Sequence, residues 1–320
     1  MKHDKVLLAH GSGGKLSQEL IEKKLAGKFP NPILDRFDDS AAIDFKGRLA
    51  FTTDSYTVSP IFFPGGDIGK LAVCGTVNDI TTGGAKPLYL SLALIIEEGF
   101  PFTELDRIIA SIAKAAEEAN VSIVTGDTKV VNQGSADKIF INTAGIGKIA
   151  EDTNISGCNA KEGDKIIISG SLGDHGIAIM AQREGLSFST PIASDCAPLN
   201  SLVADILDVA KNVHVLRDPT RGGLATTLNE IAKQSAVGIT IEENKLPIKE
   251  AVRAACELLG LDPLYVANEG KMIVILPPEE AEKVLAAMKK NRYGTDSTII
   301  GEVIIEQARR VTMKTLMGTN

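Results

Sequence analysis

Residues 74–87 read CGTVNDITTGGAKP. They form the second half of a helix that stops at a double glycine. Ile68, Leu71 and Ala72 recur ahead of it at helical spacing, Gly83 and Gly84 can take the left-handed stop conformation, and Pro87 bars continuation. The spacing predicts a helix over 66–83. One stripe of it, Ala72, Gly75, Thr76, Asp79 and Gly83, is nearly bare of bulk. A bare stripe lets another backbone or a ligand come close, and Asp79 stands in its middle with Asn78 beside it. On this stretch alone, small residues packed under a sheet with a solvated aspartate are the stronger account. The acidic residues elsewhere change that balance.

Outward from this helix the pattern alternates. A strand over 49–53 precedes it, with Asp54 at its end, and a strand over 88–96 follows. Thr103 can cap the next helix, whose inner face is Leu105, Ile108, Ile109, Ile112 and Ala116. A short buried strand over 121–124 delivers TGDTK at 125–129, and a strand over 139–147 closes this half. The order predicts a mixed sheet with helices on one side. Upstream, residues 10–15 (HGSGGK) are a glycine-rich turn running into an amphipathic helix. The backbone N–H groups of Gly11, Ser12, Gly13 and Gly14 can cradle phosphate, although the P-loop spacing is missing.

The polar, aperiodic stretch 151–163 marks a boundary between a domain at 1–152 and a second at 153–320. The second half opens with a strand over 165–169 and the turn SGSLGDHG, which carries His175 into a helix at 177–184. A helix over 200–211 and a strand over 213–216 lead to RDPTRGGL at 217–224. The helix over 223–235 that follows can hold an anion at its N-terminus, helped by Arg217 or Arg221, and an Asp-Pro turn with a salt bridge accounts for the stretch equally well. Strand 238–242, helix 248–259, strand 264–267, the loop ANEGK at 267–271, strand 272–276, helix 278–289 and strand 298–304 complete a second α/β domain.

The 320 residues suit two domains, and 44% hydrophobic with 23% charged side chains is an ordinary globular balance. A net charge of −7 without a basic cluster argues against nucleic-acid or anionic-membrane partners. No apolar run is long enough to span a bilayer, and the N-terminus does not read as a signal peptide. The cysteines at 74, 158, 196 and 256 suggest neither a zinc site nor a disulfide framework. A reducing cytoplasm fits them.

Four acidic sites remain at element ends or on the bare stripe: Asp38 with Asp39, Asp54, Asp79 and Asp127, with Lys129 two residues beyond the last. Together they have the composition that Mg²⁺ and a polyphosphate need, oxygen ligands for the metal and an ammonium for the phosphate. Carboxylates gathered without cations would repel one another.

The stretches HGSGGK, TDSY, FFPGGDIGKLAVCGTVNDI, IVTGDTKVV, FINTAGIG, SGSLGDHGIA, RDPTRGGLATTLNEIA and VANEGK resemble the HypE family of hydrogenase maturation proteins. That family lies within the aminoimidazole ribonucleotide synthetase (PurM-like) superfamily, and the likeness runs from about residue 6 to about 305. It implies a PurM-like two-domain fold in which the N-terminal sheets of a homodimer join as a β-barrel and ATP lies along the dimer face. It also implies ATP-dependent dehydration of an S-carbamoyl cysteine to a thiocyanate, the source of the cyanide ligand of a [NiFe] hydrogenase. A carbamoyltransferase, HypF, would be the donor and a HypC–HypD complex the acceptor. In these terms Asp39, Asp54, Asp79 and Asp127 would hold Mg²⁺, Asp38 and Asn78 would help bind the nucleotide, Lys129 would neutralise transferring charge, and loop 11–14 would close over the γ-phosphate. Glu269 is the first choice for the base that removes N–H protons and His175 the second.

The family's acceptor cysteine stands at the extreme C-terminus, whereas this sequence stops at MKTLMGTN with no cysteine after Cys256. The expectation is that the chain as given binds ATP and Mg²⁺ without modifying itself. The alternatives are another superfamily kinase or synthetase, or an ATP-holding docking protein. Selenide, water dikinase is disfavoured because HGSGGK has no cysteine beside its lysine.

Overall fold

The computed structural model describes residues 4–37, 40–186 and 191–316. Asp38 and Asp39 therefore lie outside the described residues. After the short helix α1 (Gly14–Glu19) and irregular turns, the first half runs β1 (Arg48–Tyr56), β2 (Phe62–Phe63), β3 (Gly66–Asp67), α2 (Ile68–Thr82), β4 (Ala85–Glu97), α3 (Phe102–Ala119), β5 (Ser122–Val131) and β6 (Ile139–Ile149). The sheet order is β1-β6-β4-β5, antiparallel except for β4 and β5. That parallel pair is joined through α3, as a crossover requires.

Helix α2 begins where Asp67 accepts hydrogen bonds from Gly69 N (2.8 Å) and Lys70 N (3.0 Å). Residues 66 and 67 are therefore a strand and cap rather than helix. Gly84, at φ +70°, makes the left-handed turn into β4, where a Cβ would strike Thr153 and Ile155. The bare stripe faces the sheet. A Cβ on Gly75 would sit 2.3 Å from the Tyr56 hydroxyl, and Cβ atoms on Gly145 or Gly147 would collide with Ile80. Small residues on both surfaces let helix and strand backbones approach, and Thr143 Oγ1 uses the approach to donate to Ala72 O at 3.0 Å.

α2 and α3 cover one face of this sheet, and α3 presents Leu105, Ile108, Ile109 and Ile112 to it, all buried. The opposite face is open. Phe51 is 68% exposed, and Leu49 and Ile95 are also exposed there.

The second half runs β7 (Lys165–Ile168), α4 (Asp174–Arg183), α5 (Asn200–Val209), β8 (Val215–Arg217), α6 (Gly223–Gln234), β9 (Gly238–Glu242), α7 (Glu250–Leu259), β10 (Ile273–Leu276), α8 (Pro278–Met288), β11 (Thr298–Ile304) and β12 (Val311–Lys314). Its sheet order is β12-β9-β11-β7-β10-β8. Ile166 and Ile168 pack on the α6 side and Ile167 on the α5 and α8 side, so apolar residues run continuously along a strand buried on both faces.

Three expectations change. β5 continues through residues 125–129, so Asp127 and Lys129 belong to an edge strand and not to a loop beyond it. Residues 263–265 form a 3₁₀ turn, capped when Asp262 accepts from Leu264 N at 2.9 Å with Pro263 in its first position, where a strand was expected. β12, parallel to β9, was not anticipated.

The halves are joined by a buried polar contact. Asn78 donates from Nδ2 to Ala197 O (3.0 Å) and accepts from Leu199 N (2.8 Å). Replacing Asn78 by Leu strands a buried carbonyl and a buried N–H, which costs about 2–4 kcal/mol. A urea titration of Asn78→Leu is expected to show that loss, and an unchanged midpoint contradicts it.

Candidate active site

At the junction of the halves, the middle of β1, the last turn of α2, the loop after β8 and α6 line a cavity of about 560 Å³, so Asp54 stands within its strand and not at the strand's end. Asp54, Asp79, Arg217, Asp218, Arg221 and Glu230 line it. Asp79 accepts from Thr52 Oγ1 at 3.0 Å, and Arg217 pairs with Glu230 at 2.8 Å. Thr52 and Asp54 alternate with exposed Phe51 and Thr53, so both point to the α2 side of the sheet. The tight packing of α2 on that side is what brings Asp79 to them.

Glu269 lies half-buried in the loop Asn268–Lys271, behind this cavity. Burial raises its pKa well above the usual carboxylate range, and the negative charges of Asp195, Asp218, Asp54 and Asp79 raise it further. Burial also raises Asp79, with Asp54 adding to the effect while Thr52, Arg217 and Arg221 oppose it. Asp218 is pushed up to about 7, by burial first and by Asp79 next. The site thus concentrates negative charge that two arginines only partly offset. All its carboxylates are oxygen donors, the set that suits Mg²⁺. No group of three or more potential ligands is already gathered among the described residues. Mg²⁺ does not need one, since it commonly uses one or two carboxylates together with substrate phosphates.

The other expected residues lie elsewhere. Asp127 and Lys129 stand on β5, exposed, in register with Ala93 and Ile95 on the open face. Three strand spacings, about 14 Å of sheet, separate β5 from β1. The loop 11–14 joins Asp127 and Lys129 there, because a Cβ on Gly11 would lie 2.7 Å from Val130 N. Gly13 and Gly14 have φ of +83° and +75° with open space around them. Ser12 Oγ donates to Leu8 O at 2.8 Å. Beside the same edge, residues between Ile21 and Phe37, with Ser40 and β4–β5, line a cavity of about 530 Å³ that reaches Asp127 and includes Phe29, Leu34 and Leu92. The expected residues therefore fall into two separate groups, one at each edge of the first sheet.

Two expectations are corrected. Asn78 is 2% exposed and its amide is committed to the junction, so it has no free face for a nucleotide. His175 is buried, edge-on to Phe63, with Nδ1 2.8 Å from Ser194 Oγ. Burial lowers its pKa. It ties α4 to the β2–β3 ribbon and does not line the acidic cavity. Asp218 and Asn268 were missed. Asp218 lies between two arginines at a strand end, a readable signal, whereas Asn268 acts through contacts that no spacing reveals.

The pKa directions have a consequence for stability. Between about pH 4 and about 7 the folded chain keeps a proton on Asp218 that the unfolded chain has released, so the group's contribution becomes less favourable as pH rises. Asp218→Asn is expected to gain stability relative to the parent across that window and to hold a constant lead above it. Urea unfolding at a series of pH values checks this, and parallel curves contradict it.

Family models described as "AIR synthase related protein" match the chain, the N-terminal domain over residues 37–149 and the C-terminal domain over 161–314. Carbamoyl dehydratase HypE of Azotobacter vinelandii is 50% identical over 319 residues, covering 99% of this chain and 94% of that protein. A crystal structure of hydrogenase maturation protein HypE in complex with ATP superposes with a TM-score of 0.95 at 53% identity, covering 98% of this chain and 95% of that one. A HypE–HypF complex structure gives a TM-score of 0.83 at 53% identity, covering 96% and 98%. The chain belongs to the HypE family of hydrogenase maturation proteins, built from the two AIR-synthase-related domains.

Proposed function

We propose that this chain uses ATP to dehydrate an S-carbamoyl (thiocarboxamide) cysteine to a thiocyanate, supplying the cyanide ligand for [NiFe] hydrogenase maturation. The observation that carries the reading is a cavity in which Asp54, Asp79 and Asp218 stand together with Arg217 and Arg221, with Glu269 close behind them. Bound MgATP would supply the phosphoryl group that turns the amide oxygen into a leaving group. The chain's own residues have the remaining tasks. Asp54 and Asp79 offer oxygen ligands to Mg²⁺, and Arg217 and Arg221 balance phosphate charge. Glu269 accepts an N–H proton as the C–O bond breaks, and a base with a raised pKa suits that role near neutral pH. Kinship with HypE and the likeness to its ATP complex support the nucleotide.

In this reading Asp127, Lys129 and loop 11–14 take part through a homodimer. They lie on the flank of the sheet opposite Asp54 and Asp79, and the open face around Phe51 suits burial against a second copy. Pairing two such faces about a two-fold axis sets the β5 edge of one chain against the β1 edge of the other, and the 530 Å³ cavity is a suitable size for a nucleoside. HypF as carbamoyl donor, a HypC–HypD complex as recipient and a cytoplasmic setting complete the proposal.

Asp79→Asn and Asp127→Asn are each expected to weaken MgATP binding about tenfold or more, roughly 1.4 kcal/mol, in calorimetry. Mixing equal amounts of the two variants should regenerate one intact site in each mixed dimer, which after random exchange of subunits restores about a quarter of the parent's binding stoichiometry. Unchanged affinity in both variants removes the shared site. Phe51→Asp is expected to yield monomers by light scattering, and a persistent dimer contradicts the assigned face.

A further inference from the structure

The main chain of Glu269 is held from three directions. On one side, Asp195 Oδ1 accepts its N–H at 3.1 Å, while Ala197 N donates to its carbonyl at 3.4 Å. Asn78 Nδ2 reaches the same carbonyl at 3.4 Å. On the other side, Asn268 Nδ2 donates to Pro219 O at 2.9 Å and Asn268 Oδ1 accepts from Gly173 N at 2.8 Å. The segment 195–197 packs against residues 269–271 so closely that a Cβ on Gly270 would lie 1.8 Å from Asp195 O. Beyond that glycine, Lys271 Nζ reaches Asp195 Oδ2 at 3.0 Å, with both side chains at or below 10% exposure. One carboxylate therefore grips the loop at two points, one residue before Gly270 and one residue after it.

We infer that Asp195 is a positioning residue for the dehydration, gripping the Glu269 N–H and the Lys271 ammonium together so that the Glu269 carboxylate is fixed at the cavity. The inference rests on Glu269 being the base. Neither Asp195 nor Glu269 is among the residues lining the acidic cavity, and Asp195 meets Glu269 through its main chain and its charge. A neutral amide at 195 keeps an acceptor for the Glu269 N–H but loses the ion pair with Lys271. Alanine loses both and leaves the Lys271 charge buried without its partner. Asp195 also adds its negative charge to the environment of Glu269, the largest such contribution after burial itself. The grip thus affects both where the base stands and how firmly it holds a proton.

The test uses the full chain with MgATP and a short peptide ending in S-carbamoylcysteine, following phosphate release and the loss of one water from the peptide by mass. Asp195→Ala is expected to lower kcat by about 100-fold and Asp195→Asn by about 10-fold, a scale taken from outer partners that orient metal ligands, with KM for ATP within twofold of the parent. The graded loss and the unmoved KM separate positioning from general damage, which would change both constants. Should Asp195→Ala fail to fold, Asp195→Asn carries the test alone, with a melting curve as its control. Parent-like turnover in Asp195→Asn and in any folded Asp195→Ala, or a KM that rises as kcat falls, overturns the inference. Glu269→Gln separates the two levels. If it is inactive while the Asp195 variants are normal, only the inference fails. If it turns over at the parent rate, the reading of Glu269 as base fails and the inference falls with it.

Discussion

The close approach of α2 to the first sheet is the constraint on which the site depends. Gly75 against Tyr56 and Gly145 and Gly147 against Ile80 leave no room for a larger side chain. Were any of these contacts widened, the last turn of α2 would lift away, and with it Asp79 from Thr52 and from the loop after β8. The same packing places Asn78 where it can bond Ala197 and Leu199. A single helix thus sets both the acidic cavity and the junction between the halves. Its stripe of small residues serves the sheet along most of its length and the site only at its end.

The chemistry of the cavity runs against the stability of the fold. Carboxylates in partly dehydrated surroundings raise one another's pKa values, and burial is the first cause for each of Asp79, Asp218 and Glu269. A purely structural cluster would pair its acids one by one, as Lys165 does with Glu302 on the second sheet. Here Arg217 is already engaged with Glu230, and the remaining repulsion is available to be relieved by a bound cation. Such concentrated perturbation is characteristic of working sites.

Much of this was legible in the residues and some was not. The body of helix α2 and its glycine stop could be read because each follows from local spacing, although the helix starts at Ile68 and not at residue 66. The extent of β5 could not, because TGDTK carries turn-like residues whose strand conformation is imposed by pairing with β4. Residues 263–265 misled because LYVA is β-prone, yet Pro263 and the Asp262 cap favour a helical turn. Asn78 and His175 were read as site residues from their company in the sequence. Their side chains instead turn toward the junction and the β2–β3 ribbon, which depends on contacts with segments more than a hundred residues away for Asn78 and with Phe63 for His175. The grip of Asp195 on Glu269 spans two segments with no sequence relation, so no pattern could have announced it.

The junction also limits how this molecule can move. If the halves swung freely about the boundary at 151–163, Glu269 would swing with the second half while Asp54 and Asp79 stayed with the first. Asn78 opposes that motion directly, since its one amide bonds Ala197, Leu199 and Glu269 itself. Breaking those contacts would leave buried polar groups unpaired, which opposes opening. Access to the site must then come from elements with looser construction. Residues 20–37 are such an element: a π-helical turn, two 3₁₀ turns and the left-handed Phe37 stand against β5 without a regular ladder. The regularly built part of the protein holds Asp54, Asp79 and Glu269, and the irregular part lies at the opposite edge, beside Asp127 and the glycine loop.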